Sequence, residues 1–199
     1  MAGAAYIAGV VLAAGSSMRM GRNKLLLALI GEPMVRRTVR ASLDAGLDPV
    51  VVVLGHEAER VREAIWGLGC RTVVNPDHAK GVRLSVQVGI GEVSEARAAV
   101  VILADMPFVT AAMVRSLVDS YREGTSPLVS SQYGDVNAPP TLYDRSLFPE
   151  MLAMTGEGCG KQVVRRHLHE AAFVTWPAAA LADVDLPEDY ERIRAQLVG

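Results

Sequence analysis

Short runs of apolar, β-branched residues alternate along the chain with segments whose apolar residues recur every three or four positions. The runs are Ile7–Ala13, Pro49–Gly55, Cys70–Asn75 and Ala98–Asp105. Several, such as PVVVVLG and AAVVILAD, are apolar without alternation, as expected of strands buried on both faces of a parallel sheet. Between them, Met34–Gly46 carries Val35, Val39 and Leu43 at helical spacing and ends on glycine. Glu57–Gly69 carries Val61 and Ile65 in the same way, and Val82–Val93 and Ala111–Arg122 complete the set. Four strand–helix units in succession predict an open, mostly parallel sheet joined by right-handed crossovers.

After residue 124 the pattern loosens. SPLVSSQYG and APPTLYD predict a hairpin or a pair of offset strands. Leu147–Met154 and Lys161–His169 read as helices, and AAFVTW as a late strand. Pro187–Leu197 reads as a closing helix with proline at its entry. No repeat, low-complexity segment or long linker divides the chain, so one domain over residues 1–199 is expected.

Composition narrows the class. Of 199 residues, 50% are hydrophobic and 21% charged, enough to bury a sizeable core. A net charge of −2 gives no general attraction to nucleic acid or to an anionic membrane, so any positive patch is local. The two cysteines form no metal or disulfide pattern; Cys70 is expected as a small core residue and Cys159 in a turn. The chain opens MAGAAY with no basic leader, and no apolar run approaches a membrane span. The expectation is a soluble, reduced, cytoplasmic protein.

In open parallel sheets ligands bind beyond the carboxyl ends of the strands, which here are Gly15 onward, Gly55, Asn75 and Asp105. The first is the most informative. In VVLAAGSSMRMGRNK, Val10–Lys24, an apolar run stops at a glycine and opens into small, polar and cationic residues. Gly15 lets a ligand approach the backbone, and Gly21 can turn the chain sharply. Loop amides can form an anion nest, while Arg19 offers a planar fork and Lys24 a point charge for phosphate oxygens. Arg22 is a further cation. Five residues separate the two glycines and the lysine follows the second by three, so this is not a Walker loop, nor is it G-x-G-x-x-G. A mobile surface loop is the competing reading.

Asp105 in LADMP ends an apolar strand, where a buried charge needs a partner such as Mg²⁺ shared with substrate phosphates. The alternative, a cap for the next helix, is weakened because Thr110 is itself a good cap. Asp185 in DVDLPEDY can bring a second carboxylate to the same metal, but taken alone the segment reads more simply as capping of the following helix. In NPDHAKGVRLS, Asn75 can read a base edge or a ribose hydroxyl, and Gly81 and Ser85 flank a helix start that can face the ligand. His78 reads as a loop histidine, and His56, His167 and His169 receive no chemistry. Ser16 and Ser17 are not in G-x-S-x-G, which leaves a serine hydrolase unsupported.

Taken together, these segments resemble a known family. LAAGSSMRMGRNKLLL is similar to the signature of nucleotidyltransferases with a Rossmann-like sugar-nucleotide transferase fold, closest to the molybdenum cofactor cytidylyltransferases and guanylyltransferases. NPDHAKGVRLSVQVGI, ILADMPFVT, TGEGCGKQVV and DVDLPEDY resemble further blocks of that family, in order from Val11 to Tyr190. The resemblance implies a single-domain three-layer α/β/α sandwich with a mostly parallel Rossmann-like sheet, of nucleotide-diphospho-sugar transferase type. Residues 1–124 would form the nucleotide-binding half and 125–199 the acceptor half. Leu12, Ala13, Ala14 and Gly15 would hold the nucleotide through backbone atoms. Arg19 and Lys24 would bind the triphosphate, Asn75, Gly81 and Ser85 would line the nucleoside pocket, and Asp105 and Asp185 would hold Mg²⁺. Arg19, Lys24 and Asp105 are the expected catalytic residues.

The implied activity is Mg²⁺-dependent transfer of a nucleoside monophosphate, from CTP in preference to GTP, to a phosphorylated acceptor of molybdopterin type, with loss of pyrophosphate. LAAG rather than LAGG carries the preference for cytidine. The family's G-H-P stands here as Ala138-Pro139-Pro140, on the acceptor side. That departure keeps two other readings open: a transferase with a non-pterin acceptor, and a carrier that delivers finished cofactor to a molybdenum hydroxylase apo-enzyme. An NAD-type oxidoreductase is disfavoured by the missing G-x-G-x-x-G.

Overall fold

A computed structural model describes residues 6–156, 158–182 and 184–198; Glu157 of TGEGCGKQVV and Asp183 of DVDLPEDY lie outside the described residues. The apolar runs form the centre of a seven-stranded sheet. Strands β1 (Ile7–Ala13), β4 (Val50–Leu54), β5 (Arg71–Val74) and β6 (Ala98–Leu103) are parallel, in the order β5-β4-β1-β6. All of β1 and β4 is buried, as their unbroken apolar sequence requires. β5 is the edge strand and is mostly exposed.

The second half supplies β7 (Leu128–Tyr133), β8 (Val136–Asp144) and β9 (Ala171–Trp176). β7 and β8 form the expected hairpin. β8 runs antiparallel to β6 on one side and to β7 on the other, and β9 closes the sheet parallel to β7. Register jumps between Ser130, opposite Thr141, and Ser131, opposite Ala138. Pro139 and Pro140 are the extra residues of that bulge, where their missing N–H groups cost the ladder nothing. The Tyr133 hydroxyl donates to the Pro139 carbonyl at 3.0 Å and steadies it.

Helices cover both faces. α1 (Met34–Asp44), α2 (Ala58–Ala64) and α4 (Ala111–Glu123) pack on one face, through Val35, Val39, Val61, Val114 and Leu117. α3 (Val82–Glu92), α5 (Phe148–Ala153) and α6 (Cys159–Arg166) pack on the other, through Val86, Ile90, Phe148, Met151 and Val163. α2 ends well before the expected Gly69, and the positive φ of Gly67 marks the turn that follows it. α6 starts earlier than expected, so Cys159 opens a helix rather than sitting in a turn. Cys70 is half-buried against the first core cluster.

α7 (Pro187–Val198) crosses back over the amino-terminal half. There the segment LLLALIGEP folds into a small hairpin of β2 (Ala28–Leu29) and β3 (Glu32–Pro33). Met20, Leu29, Met34, Val184, Tyr190 and Ile193 form a separate core under α7. The Tyr190 hydroxyl donates to the Ala28 carbonyl at 2.7 Å. Among the described residues, no helix is long and apolar enough to cross a membrane.

Candidate active site

The sheet order reverses at β1, whose neighbours β4 and β6 lie on its two sides. The crevice beyond the carboxyl ends of β1 and β6 is therefore the topological switch point. A cavity of about 340 Å³ opens there, lined by Leu12, Ala14, Gly15, Lys24, Ser85 and Asp105 of the expected residues. Leu25, His78, Val82 and Leu103 complete its wall. Ala13 turns into the core beneath α1, and Asn75, Gly81, Arg19 and Asp185 are not part of this lining.

Gly15 lines this cavity. A Cβ there would meet nothing within 4 Å, and the open space is the cavity itself. Gly55 is the opposite case: a Cβ would come within 2.6 Å of His78 and 2.7 Å of the Ala14 carbonyl. That contact seats His78 against the β1 loop and makes it a cavity wall, a role missed in the sequence.

After Gly15 the loop is folded by its own backbone. Ser17 takes a left-handed φ of 51°, Met18–Met20 form a 3-10 turn, and Gly21 at φ 64° reverses the chain. The Ser17 hydroxyl accepts the Lys24 amide at 3.2 Å and closes the loop. Arg22 lines a second cavity of about 580 Å³ together with Ser16, Gly21, His56 and Arg60, away from Asp105 and Lys24.

The two carboxylates are not caps. Thr110 caps α4, its hydroxyl accepting the Met113 amide at 3.2 Å. Asp189 caps the start of α7 by accepting the amides of Asp185 at 3.2 Å and Leu186 at 2.9 Å. Asp105 and Asp185 are thereby free to turn toward Lys24. Its Nζ lies 2.6 Å from Asp105 Oδ2 and 2.9 Å from Asp185 Oδ1. Arg19 Nη2 reaches Asp185 Oδ2 at 2.6 Å. The Val184 amide, bonded to the Asp105 carbonyl at 3.4 Å, holds the two acidic segments side by side.

Electrostatics follow from the pairing. Burial alone pulls the Lys24 pKa down, but the Asp105 charge and hydrogen bonds to both carboxylates outweigh it, and the value is raised above 10.5. Asp185 is held below 3.8, chiefly by the hydrogen bond from Lys24 and against the effect of its partial burial. Asn75 faces inward: its Nδ2 donates to Ser85 Oγ at 3.0 Å, and its Oδ1 accepts the Asp77 amide at 3.0 Å.

A glycine-opened loop, two cations and two carboxylates thus lie together at the switch point of this sheet. Residues 9–171 match the MobA-like NTP transferase domain, and the chain belongs to that family. The purine catabolism protein PucB of Bacillus subtilis is 30% identical over 95% of this chain and 96% of its own length. A probable molybdenum cofactor guanylyltransferase of Opitutus terrae is 35% identical over 64% of this chain and 62% of its own. The nicotine blue oxidoreductase of Paenarthrobacter nicotinovorans is 30% identical over 80% of this chain and 81% of its own. Among solved structures, Rv0371c of Mycobacterium tuberculosis superposes with a TM-score of 0.86 at 29% identity, covering 96% of this chain and 99% of that one. A manganese complex of Rv0371c superposes with a TM-score of 0.81 at 28% identity, over 96% of this chain and 98% of that one. The chain is thus a nucleotidyltransferase related to those of molybdenum cofactor synthesis.

Proposed function

We propose that the protein transfers cytidine monophosphate from CTP to the terminal phosphate of a molybdopterin-type acceptor, with Mg²⁺ as the metal. The observation that carries this reading is the placement of Lys24 between Asp105 and Asp185, beside a cavity that Gly15 leaves open. In the reaction, an acceptor phosphate oxygen bonds to the α-phosphorus, and the bond between the α-phosphorus and the β-bridging oxygen breaks. Pyrophosphate leaves. The attacking phosphate is already ionised, so no general base is needed, in keeping with a site whose chemistry is positioning and charge neutralisation.

Leu12, Ala14 and Gly15 form one wall for the nucleoside, and Ser85 and Val82 the other. Lys24 and Arg19 hold the triphosphate and stabilise charge on the departing pyrophosphate. Asp105 and Asp185 are hard oxygen donors converging on one cation, a donor set that fits Mg²⁺ or Mn²⁺. Among the described residues no three acidic, histidine or cysteine side chains gather as a metal site, so the remaining ligands would be substrate phosphates. When bound, such a cation neutralises phosphate charge and makes the α-phosphorus more electrophilic. Cytosine is supported by LAAG, whose Ala14 lines the cavity, and the guanylyltransferase relative makes GTP the comparison. The β8 bulge at Pro139-Pro140 lies at the same edge of the sheet and would shape the acceptor side.

The test is pyrophosphate release with Mg²⁺ and each of CTP, GTP, ATP and UTP, with and without molybdopterin. Release with CTP that depends on the pterin supports the reading in full. Release that needs a different acceptor overturns the pterin assignment. Nucleotide binding without release under any acceptor condition favours a carrier for a molybdenum hydroxylase.

A further inference from the structure

Every charged side chain assigned above to substrate or metal is already paired with another. Arg19 binds Asp185 at 2.6 Å, Asp185 binds Lys24 at 2.9 Å, and Lys24 binds Asp105 at 2.6 Å. Two cations and two carboxylates thus form one chain of pairs with no net formal charge. Lys24 is its centre, with a side chain only 12% exposed. Its ammonium occupies the oxygens, Asp105 Oδ2 and Asp185 Oδ1, that converge on one point. A lone divalent cation must displace that ammonium before it can use both carboxylates. A lone triphosphate must take Arg19 and Lys24 from the carboxylates, leaving two negative charges facing each other.

We propose that this four-residue chain is a resting lock that makes metal and triphosphate bind to the protein as a unit and each poorly alone. The proposal rests on the reading of Asp105 and Asp185 as metal ligands and of Lys24 and Arg19 as phosphate ligands. A metal–triphosphate complex carries both signs of charge and exchanges both sets of pairs together: carboxylates pass to the metal while Lys24 and Arg19 pass to the phosphates. The coupling is reciprocal, since whatever the metal does for nucleotide affinity the nucleotide does for metal affinity. It exceeds the affinity of metal for nucleotide in water, because part of it resides in breaking the protein's own pairs. Asp185 makes the lock span the chain, since it arrives on the α7 segment, 161 residues after Lys24.

The test uses Mn²⁺ alone and CTP or GTP alone on the full chain, with thermal unfolding as the check that each variant is folded. Free Mn²⁺ is read by its paramagnetic resonance signal in the absence of nucleotide. Lys24→Met should bind Mn²⁺ about tenfold more tightly than the wild type, or better, because the competing ammonium is gone. Nucleotide binding is then measured in EDTA by calorimetry. Asp185→Asn should bind metal-free nucleotide several-fold more tightly than the wild type, although it binds the metal–nucleotide complex more weakly. The two arms are independent, so either folded variant decides. Equal Mn²⁺ affinity in wild type and Lys24→Met, or unimproved metal-free binding in Asp185→Asn, overturns the lock while wild-type binding of Mg²⁺–nucleotide still stands. Failure of the wild type to bind Mg²⁺–nucleotide at all overturns the site reading and the lock with it.

Discussion

Asn75 donates its side-chain amide to the Ser85 hydroxyl at 3.0 Å, and both residues are buried. The bond ties the end of β5 to the first turn of α3, while Asn75 Oδ1 shapes the intervening loop through the Asp77 amide. In this arrangement Asn75 holds Ser85 and the loop, and it is not in the cavity lining. Asn75→Ala leaves a buried hydroxyl and a loop amide without partners, so a loss of about 1–3 kcal/mol is expected in urea denaturation. KM for nucleotide should rise more than kcat falls, with the ratio of CTP to GTP usage unchanged. A changed ratio would instead give Asn75 direct contact with the base.

Lys24→Ala removes the ammonium that lies between Asp105 and Asp185. Loss of one preorganised charge contact of this kind costs on the order of 10²–10³ in rate. The expected fall in kcat/KM is of that size, measured as pyrophosphate release at saturating acceptor. Turnover close to the wild type would remove Lys24 from the phosphate site.

Asp105→Asn keeps the shape of its side chain and removes its charge. The Mg²⁺ dependence of turnover should shift to higher concentration. Since Thr110 already caps α4, unfolding stability should change little by comparison. An unchanged metal titration would leave Asp105 as no more than the partner of Lys24.

Much of this was legible in the chain because its signals were local. Unbroken runs such as VVVVL gave strands buried on both faces, and glycine or threonine marked where helices end or begin. The order of strands beyond β6 was not legible. Nothing in TLYD says that it will lie antiparallel against β6 rather than at an edge. The short β2–β3 hairpin was hidden because LLLALI is apolar with neither helical nor alternating period. Asp185 was ambiguous for a related reason. Two aspartates, Asp185 and Asp189, stand at the entry to α7, and only the fold shows that Asp189 caps while Asp185 reaches across to Lys24. His78 was passed over because what places it is the missing side chain of Gly55, more than twenty residues earlier.

The network should respond to pH only at its extremes. Asp185 is held below 3.8, so its pairing contributes stability above the unfolded carboxylate pKa of about 3.9, and that is lost as pH falls through the depressed folded value. Lys24 is raised above 10.5, so its contribution is present below that value and disappears as pH climbs past the folded one. The difference in melting temperature between wild type and Asp185→Asn should therefore be flat from about pH 5 to 9 and shrink below about pH 4. A difference that varied through neutral pH would mean that another titrating group controls the pair.

Gly89 and Gly91 sit two residues apart on α3 and should respond oppositely to the same change. A Cβ at Gly89 would lie 2.3 Å from Val10 Cγ1 and 3.0 Å from Val53 Cγ2, both buried in the central strands. Alanine there must push α3 away from the sheet, at a cost of about 1–3 kcal/mol. A Cβ at Gly91 meets nothing within 4 Å, so alanine should stabilise the helix by about 0.4–1 kcal/mol. The displacement at Gly89 also reaches the cavity, because Ser85 lies one helical turn earlier on α3 and Val82 at its start. Gly89→Ala should accordingly raise KM for the nucleotide while Gly91→Ala leaves it unchanged. Urea denaturation and steady-state kinetics on the two variants check both halves. Equal stability of the two would show that α3 does not pack on β1 as closely as the Val10 contact requires.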